Sequence, residues 1–249
     1  MDLVSVIMPC HNGALYIKNA IDSVLAQSYK DWELLVVDDA STDGSKALIE
    51  SYCQKDSRIK LLSTEHSTGL PATARNLGIE EARGRYIAFL DCDDQWLPDK
   101  LEHQIPLFDK ADCAVVFSFY KKMDKDGNVR PLTVTSPGVV DYNGLLGGNC
   151  IGNLTGIYDT AKVGKVYQKD IHHEDYLMWL QVLQKGFVAY NTGTVEACYR
   201  ESGTSVSGSK LKALSWTWAI YQRELGLPLV TSIGHFIKYA FKGLSKRLK

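Results

Sequence analysis

A chain of 249 residues, 45% apolar and 23% charged, can bury one sizeable core and has the composition of an ordinary globular protein. Its net charge of −1 excludes bulk attraction to nucleic acid, and it has no run of eighteen apolar residues to span a bilayer. The six cysteines (Cys10, Cys53, Cys92, Cys113, Cys150, Cys198) are scattered without a C-x-x-C pair, which argues against a zinc site or disulfide scaffold and suits a reducing cytoplasm.

Asp2 leads directly into a strand pattern, so no signal peptide is expected. Leu3 to Met8 reads as a buried strand closed by Pro9, and Cys10-His11-Asn12-Gly13 as a turn. Ala14 to Gln27 has helical spacing at Leu15, Ile17, Ile21, Val24 and Leu25. Trp32 to Val37 is a second strand, and Ser41-Thr42-Asp43-Gly44 opens a helix running to about Lys55. Ile59 to Leu62, Tyr86 to Leu90 and Cys113 to Tyr120 read as further strands. Helices are expected from Pro71 to Ala82 and from Leu97 to Lys110. This alternation predicts an α/β fold with a mostly parallel sheet flanked by helices. Beyond Lys121 the pattern breaks. Lys125-Asp126-Gly127-Asn128 signals a hairpin, and Pro131 to Gly148 is rich in turn residues. Asp175 to Lys185 reads as an amphipathic helix ended by Gly186, and Gly226-Leu227-Pro228 separates two C-terminal helices.

Three acidic clusters stand out: Asp38-Asp39, Asp91-Cys92-Asp93-Asp94 and Glu174-Asp175. The first two follow apolar runs, so they should emerge on one rim of the sheet, where ligands of such folds bind. Crowded carboxylates raise one another's pKa, and a divalent cation or a ligand rich in hydrogen-bond donors would relieve them. Oxygen ligands at the Asp91-x-Asp93 spacing suit Mg²⁺ or Mn²⁺ beside substrate phosphates. The plainer alternative is a set of loop carboxylates capping the next helix. Asp39 could accept hydrogen bonds from a nucleobase or ribose, and Arg75 could pair with a carboxylate or a diphosphate. His172 and His173 are adjacent and do not point together, which disfavours a metal role. Asp175 is either a helix cap or a catalytic base.

Taken together the motifs resemble the inverting family 2 glycosyltransferases of GT-A fold. The matching pieces begin with Val4 to Pro9, His11 and Asn12, then Glu33 to Asp43. Gly69 with Ala74-Arg75-Asn76-x-Gly78, Gly84 to Asp94, and Glu174-Asp175-Tyr176-x-x-Trp179-Leu180 follow in order. The resemblance implies a GT-A, Rossmann-like catalytic domain over 1–225, with a nucleotide-sugar half (1–120), an acceptor half (121–225) and an amphipathic basic helix over 226–249. It also implies that Asp39 reads the base, Arg75 lies near base and diphosphate, and Asp91 contacts the ribose. Pro9 and Cys92 would belong to the same donor site, Asp93 would bind Mn²⁺ or Mg²⁺, and Asp175 would be the general base. Glu174, Arg200 and Ser205 would belong to the acceptor and diphosphate loop. The chain departs from the family at His11, usually aromatic, and at Ala40, often Gly.

The expected reaction is transfer of one sugar from a nucleotide sugar, a UDP-sugar, to a lipid-linked glycan in bacterial O-antigen or capsule synthesis. The alternative is a non-catalytic GT-A-like protein that binds nucleotide sugars or glycans. A dehydrogenase would need G-x-G-x-x-G after the first strand, which Pro9 to Gly13 does not supply. A phosphatase with an aspartyl nucleophile would not account for Asp38-Asp39 or Glu174-Asp175. A processive synthase would carry transmembrane helices and Gln-x-x-Arg-Trp. From Ile233 onward, Phe236, Ile237, Ala240, Phe241, Leu244 and Leu248 share one helical face, with Lys238, Lys242, Lys246 and Lys249 on the other. Such a helix either lies peripherally on an anionic membrane or packs on the core.

Overall fold

The apolar runs of the first half fold as neighbouring parallel strands. The computed structural model describes residues 2–67, 69–201 and 210–245. In it β1 (Val4–Cys10), β2 (Trp32–Asp38), β3 (Ile59–Ser63) and β4 (Tyr86–Phe89) lie in the order β3-β2-β1-β4. The crossovers are α1 (Ile17–Leu25), α2 (Ser45–Cys53) and α3 (Ala72–Glu81). Every residue of β1, β2 and β4 is buried, because helices cover both faces. Alternation along β1 sends Ile7 to one face, with Ile79 of α3, and Val6 and Met8 to the other, with Ile17 and Ile21 of α1.

The strands after residue 90 interleave. They are β5 (Gln95–Trp96), β6 (Cys113–Met123), β7 (Val129–Val134), β8 (Val139–Val140), β9 (Ile157–Asp159) and β10 (Val188–Arg200). Between them lie α4 (Lys100–Gln104), α5 (Tyr142–Leu146), α6 (Thr160–Val163) and α7 (Glu174–Leu183). The sheet continues from β4 through β9, β6 and β10 to β5, with β7 added to β6 and β8 to β10. It is mixed, but its four longest ladders are parallel, as expected. Antiparallel β9 sits between β4 and β6, so the two expected halves share one sheet. Arg85, beside β4, fastens this junction through a 2.7 Å ion pair with the buried Asp159 of β9.

Several boundaries differ from expectation. β1 runs through Pro9 to Cys10; its ladder to β4 ends at Ile7↔Phe89, so a residue without N–H is tolerated there. Residues 13–16 form a turn before α1, which leaves Leu15 77% exposed instead of buried. The helix expected from Leu97 to Lys110 is the five-residue α4 followed by a 3₁₀ turn at Ile105–Asp109, because Pro106 cannot continue an α-helix. The hairpin at 125–128 joins β6 and β7 as expected.

The chain ends in α8 (Lys210–Ala219), a π turn at Ile220–Glu224, and α9 (Leu229–Ser245). The single apolar face expected on the last helix is divided. Phe236 packs on the core, whereas Ile237 is half exposed.

Candidate active site

β2 delivers Asp38 and Asp39 to the rim, the loop after β4 delivers Asp91 to Asp94, and α7 opens with Glu174 and Asp175. Arg75 joins the last two groups. It projects from α3, is 4% exposed, and donates from Nη2 to Asp91 Oδ1 at 2.7 Å and from Nη1 to Glu174 Oε1 at 2.8 Å. Burial opposes its charge, but Asp91 and Glu174 outweigh that and raise its pKa further. Gln168 also accepts from Nη1, at 3.2 Å, and its backbone exchanges two hydrogen bonds with the Asn76 side chain. Arg75 thus pairs with two carboxylates, Asp91 and Glu174.

Asp93 has no side-chain partner among the described residues. Its pKa is pushed up to about 6, first by burial and then by the Asp91 charge. Asp94 is 2% exposed and is pushed well above the carboxylate range by burial, Asp91 and Asp93, although it accepts the Arg200 backbone N–H at 2.8 Å. The Arg200 guanidinium clamps the same loop, with Nε donating to the Asp93 carbonyl oxygen at 2.8 Å and the group lying 4.4 Å from the Tyr16 ring centroid. Its Nη2 is buried without a partner among the described residues.

Among the described residues no cluster of three or more His, Cys, Asp or Glu could cage a metal. The acidic loop does fit a cation held by one or two carboxylates and completed by phosphate and water. Asp93 is a carboxylate there that no other described side chain bonds, with Asp91 beside it.

At the end of β2, Asp39 is 6% exposed, and its two carboxylate oxygens accept from the Thr64 and Ser67 hydroxyls, each at 2.7 Å. Each oxygen keeps a second lone pair for a ligand donor. His11 contacts the Asp39 carbonyl oxygen through Nδ1 at 2.6 Å, and Asn12 Oδ1 accepts the Thr42 N–H at 2.8 Å. These bonds latch together the loops after β1 and β2. Asn12 and Ala40 both take left-handed backbone there, with φ of 50° and 54°. Pro9 lies within β1, and the Cys10 and Cys92 thiols share a hydrogen bond that lowers the pKa of Cys10 and raises that of Cys92. Both sulfurs crowd Gly13, where a Cβ would sit 2.8 Å from Cys92 Sγ.

Asp175 is the second residue of α7, whose N-cap is His173 in left-handed conformation, so Asp175 is not the cap. Its Oδ2 accepts from the Asn149 amide at 3.1 Å. Burial and the neighbouring Glu174 push its pKa up to about 6, against the pull of Arg75 and Asn149. A carboxylate so tuned is ionised at neutral pH and basic enough to accept a proton. His172 stacks on Trp216 with centroids 4.1 Å apart. Ser205 lies outside the described residues. Gln168 and Asn149 escaped the sequence reading: both sit in irregular segments where no periodicity or motif marks them.

The model of the family described as Glycosyl transferase family 2 matches residues 5–166. TuaG of Bacillus subtilis (strain 168), a glycosyltransferase named for teichuronic acid biosynthesis, is 38% identical over 99% of this chain and 98% of its own. WfgD of Escherichia coli, a UDP-Glc:alpha-D-GlcNAc-diphosphoundecaprenol beta-1,3-glucosyltransferase, is 37% identical over 98% of this chain and 94% of its own. Among solved structures, S. aureus TarS 1-349 superposes with a TM-score of 0.72 at 20% identity, covering 96% of this chain and 71% of that one. A Pyrobaculum calidifontis mannosyltransferase in complex with GDP-Man and Mn²⁺ superposes at 0.66 with 18% identity, over 96% and 69%. These two likenesses show a shared fold.

Proposed function

The chain belongs to glycosyl transferase family 2 and is a glycosyltransferase, and from that premise we propose that it moves one sugar from a UDP-sugar to a lipid-linked glycan in bacterial surface polysaccharide synthesis. The observation that carries this reading is the Arg75 bridge, which ties the acidic loop after β4 to the helix bearing Asp175. Donor and acceptor chemistry thereby share one rim. WfgD uses UDP-Glc and a diphosphoundecaprenol-linked acceptor, and TarS has been solved with UDP-GlcNAc.

In this reaction Asp39 binds the base, Asp91 the ribose, and Pro9 and Cys92 line the donor site. Arg75 orients the diphosphate, for which Asp91 and Glu174 hold its guanidinium in place. Asp93 would hold a Mn²⁺ or Mg²⁺, which when bound supplies a Lewis acid against charge on the leaving diphosphate. Asp175 takes the proton from the acceptor hydroxyl as that oxygen attacks the anomeric carbon, and the nucleoside diphosphate departs from the opposite face. One displacement inverts the configuration, so an α-linked donor yields a β-linked product; WfgD is named for a beta-1,3 transfer. Glu174 and Arg200 line the acceptor and diphosphate side. The setting is the cytoplasmic face of the membrane that holds the acceptor.

A thermal-shift screen of UDP-, dTDP- and GDP-sugars with and without Mn²⁺ tests the donor. The matching nucleotide at 100 times its Kd should stabilise the fold by about 2.7 kcal/mol. Equal shifts for all three, or none that depends on Mn²⁺, would remove the UDP and metal assignments.

A further inference from the structure

Helix α9 presents three faces. Its inner face is Ser232, Phe236 and Tyr239. Ser232 is buried and accepts from the Gln222 amide at 2.6 Å, Phe236 meets Trp218 edge-on with centroids 5.3 Å apart, and Tyr239 abuts Gly148. A second face holds Leu229, Val230, Ile233 and Ile237, which are 58%, 83%, 44% and 50% exposed. At 100° per residue these four span about 100° of arc. They are four of the nine exposed large apolar side chains among the described residues, so the helix gathers what is elsewhere scattered. The third face carries the exposed Lys238, with position 242, also lysine, one turn further on. After Glu224 the sequence has five basic residues and no acidic one.

We infer that α9 lies in the interface of an anionic bilayer, with Leu229, Val230, Ile233 and Ile237 among the acyl chains and Lys238 at the headgroups. This deepens the reading of a lipid-linked acceptor and rests on it for its purpose. Charge selects the occupant. A second copy docked through this face would leave the basic residues beside it without a carboxylate on the helix to pair them, whereas anionic lipid complements them. Position gives the docking a use. Tyr239 touches Gly148, and the next residue, Asn149, donates to Asp175. The membrane-bound helix is thus two contacts from the residue that would deprotonate the acceptor, and a lipid-tethered acceptor rises from that same surface.

The test is co-sedimentation of the full chain with vesicles of phosphatidylglycerol and phosphatidylethanolamine, and with phosphatidylcholine alone. Full-length protein should bind the anionic vesicles in a salt-dependent manner. The I233E/I237E double variant should lose at least tenfold in partition coefficient while keeping its Tm and its UDP-dependent thermal shift, since both side chains face solvent. Lys238→Glu should weaken anionic binding and leave binding to phosphatidylcholine unchanged. No vesicle binding by the parent, or equal binding by I233E/I237E, overturns the inference. So does a parent dimer that I233E/I237E converts to monomer, which would assign the face to a second copy. The UDP-sugar shift is measured without vesicles, so failure of the donor reading and failure of the docking are seen separately.

Discussion

Asp93 and Asp175 are both held near a pKa of about 6 by burial reinforced by a neighbouring carboxylate, and their replacements should differ in effect. Asp93→Ala should abolish transfer and the Mn²⁺-dependent part of nucleotide binding, read by calorimetry with and without metal. Asp175→Asn keeps the shape and cannot accept a proton. It should retain donor binding and thermal stability while kcat falls on the order of 10² or more. The parent kcat should decline as pH falls below about 6, where Asp175 takes up a proton. Stability of the ligand-free protein should run the other way. Both folded-state pKa values lie above the ordinary carboxylate value of about 3.9, so the native state binds more protons between about pH 4 and 6. Stability from these groups is present below about pH 4 and lost as pH rises through 6, and D93N and D175N should each flatten the melting-temperature profile in that window. Ala40 offers a further test. Its φ of 54° costs an L-residue about 1–2 kcal/mol, against an unfolded-state entropy penalty for glycine of about 0.4–1 kcal/mol, so Ala40→Gly should raise the urea midpoint.

At the level of elements, the site depends on two helices seated closely through glycines. A Cβ on Gly78 of α3 would lie 2.6 Å from Ile7 Cγ2, and one on Gly156 would run into Trp179 Cζ2 of α7. Gly78→Ala should cost about 1–3 kcal/mol in urea unfolding and weaken UDP binding by moving Arg75 off the rim. The same contacts show what could be read from the residues. β1, β2 and β4 were legible because burial on both faces demands unbroken apolar runs, and β2 and β4 end in or just before an acidic cluster. β10 was not, since Asn191, Thr192, Gly193 and Thr194 interrupt it and its register to β6 shifts three times. β9 has three residues, one of them the buried Asp159, too few to show any period. The acidic clusters were legible as carboxylates gathered on one rim, but the Arg75 bridge depends on a 99-residue separation that no local pattern encodes.

Over the whole molecule, β9 from beyond residue 120 lies between β4 and β6 in one sheet. Equilibrium unfolding followed by tryptophan fluorescence, with Trp32 and Trp96 in one half and Trp179, Trp216 and Trp218 in the other, should coincide with circular dichroism in a single transition. A fragment of residues 1–120 should not fold alone, because β4 and β6 would lack the strands that lie between and beside them; a cooperative melt of that fragment would refute this. The strand order also sets a timetable for synthesis. β6 emerges with its apolar stretch Cys113–Phe117, yet its neighbours β9 and β10 lie about 35 to 80 residues downstream. At about 5–20 residues per second, the edge later covered by β10 waits about 4–15 s on the nascent chain. During that interval the centre of the finished sheet is an open apolar edge, and the ribosome-bound protein is most exposed to aggregation and to chaperones at the strand that later becomes its most enclosed.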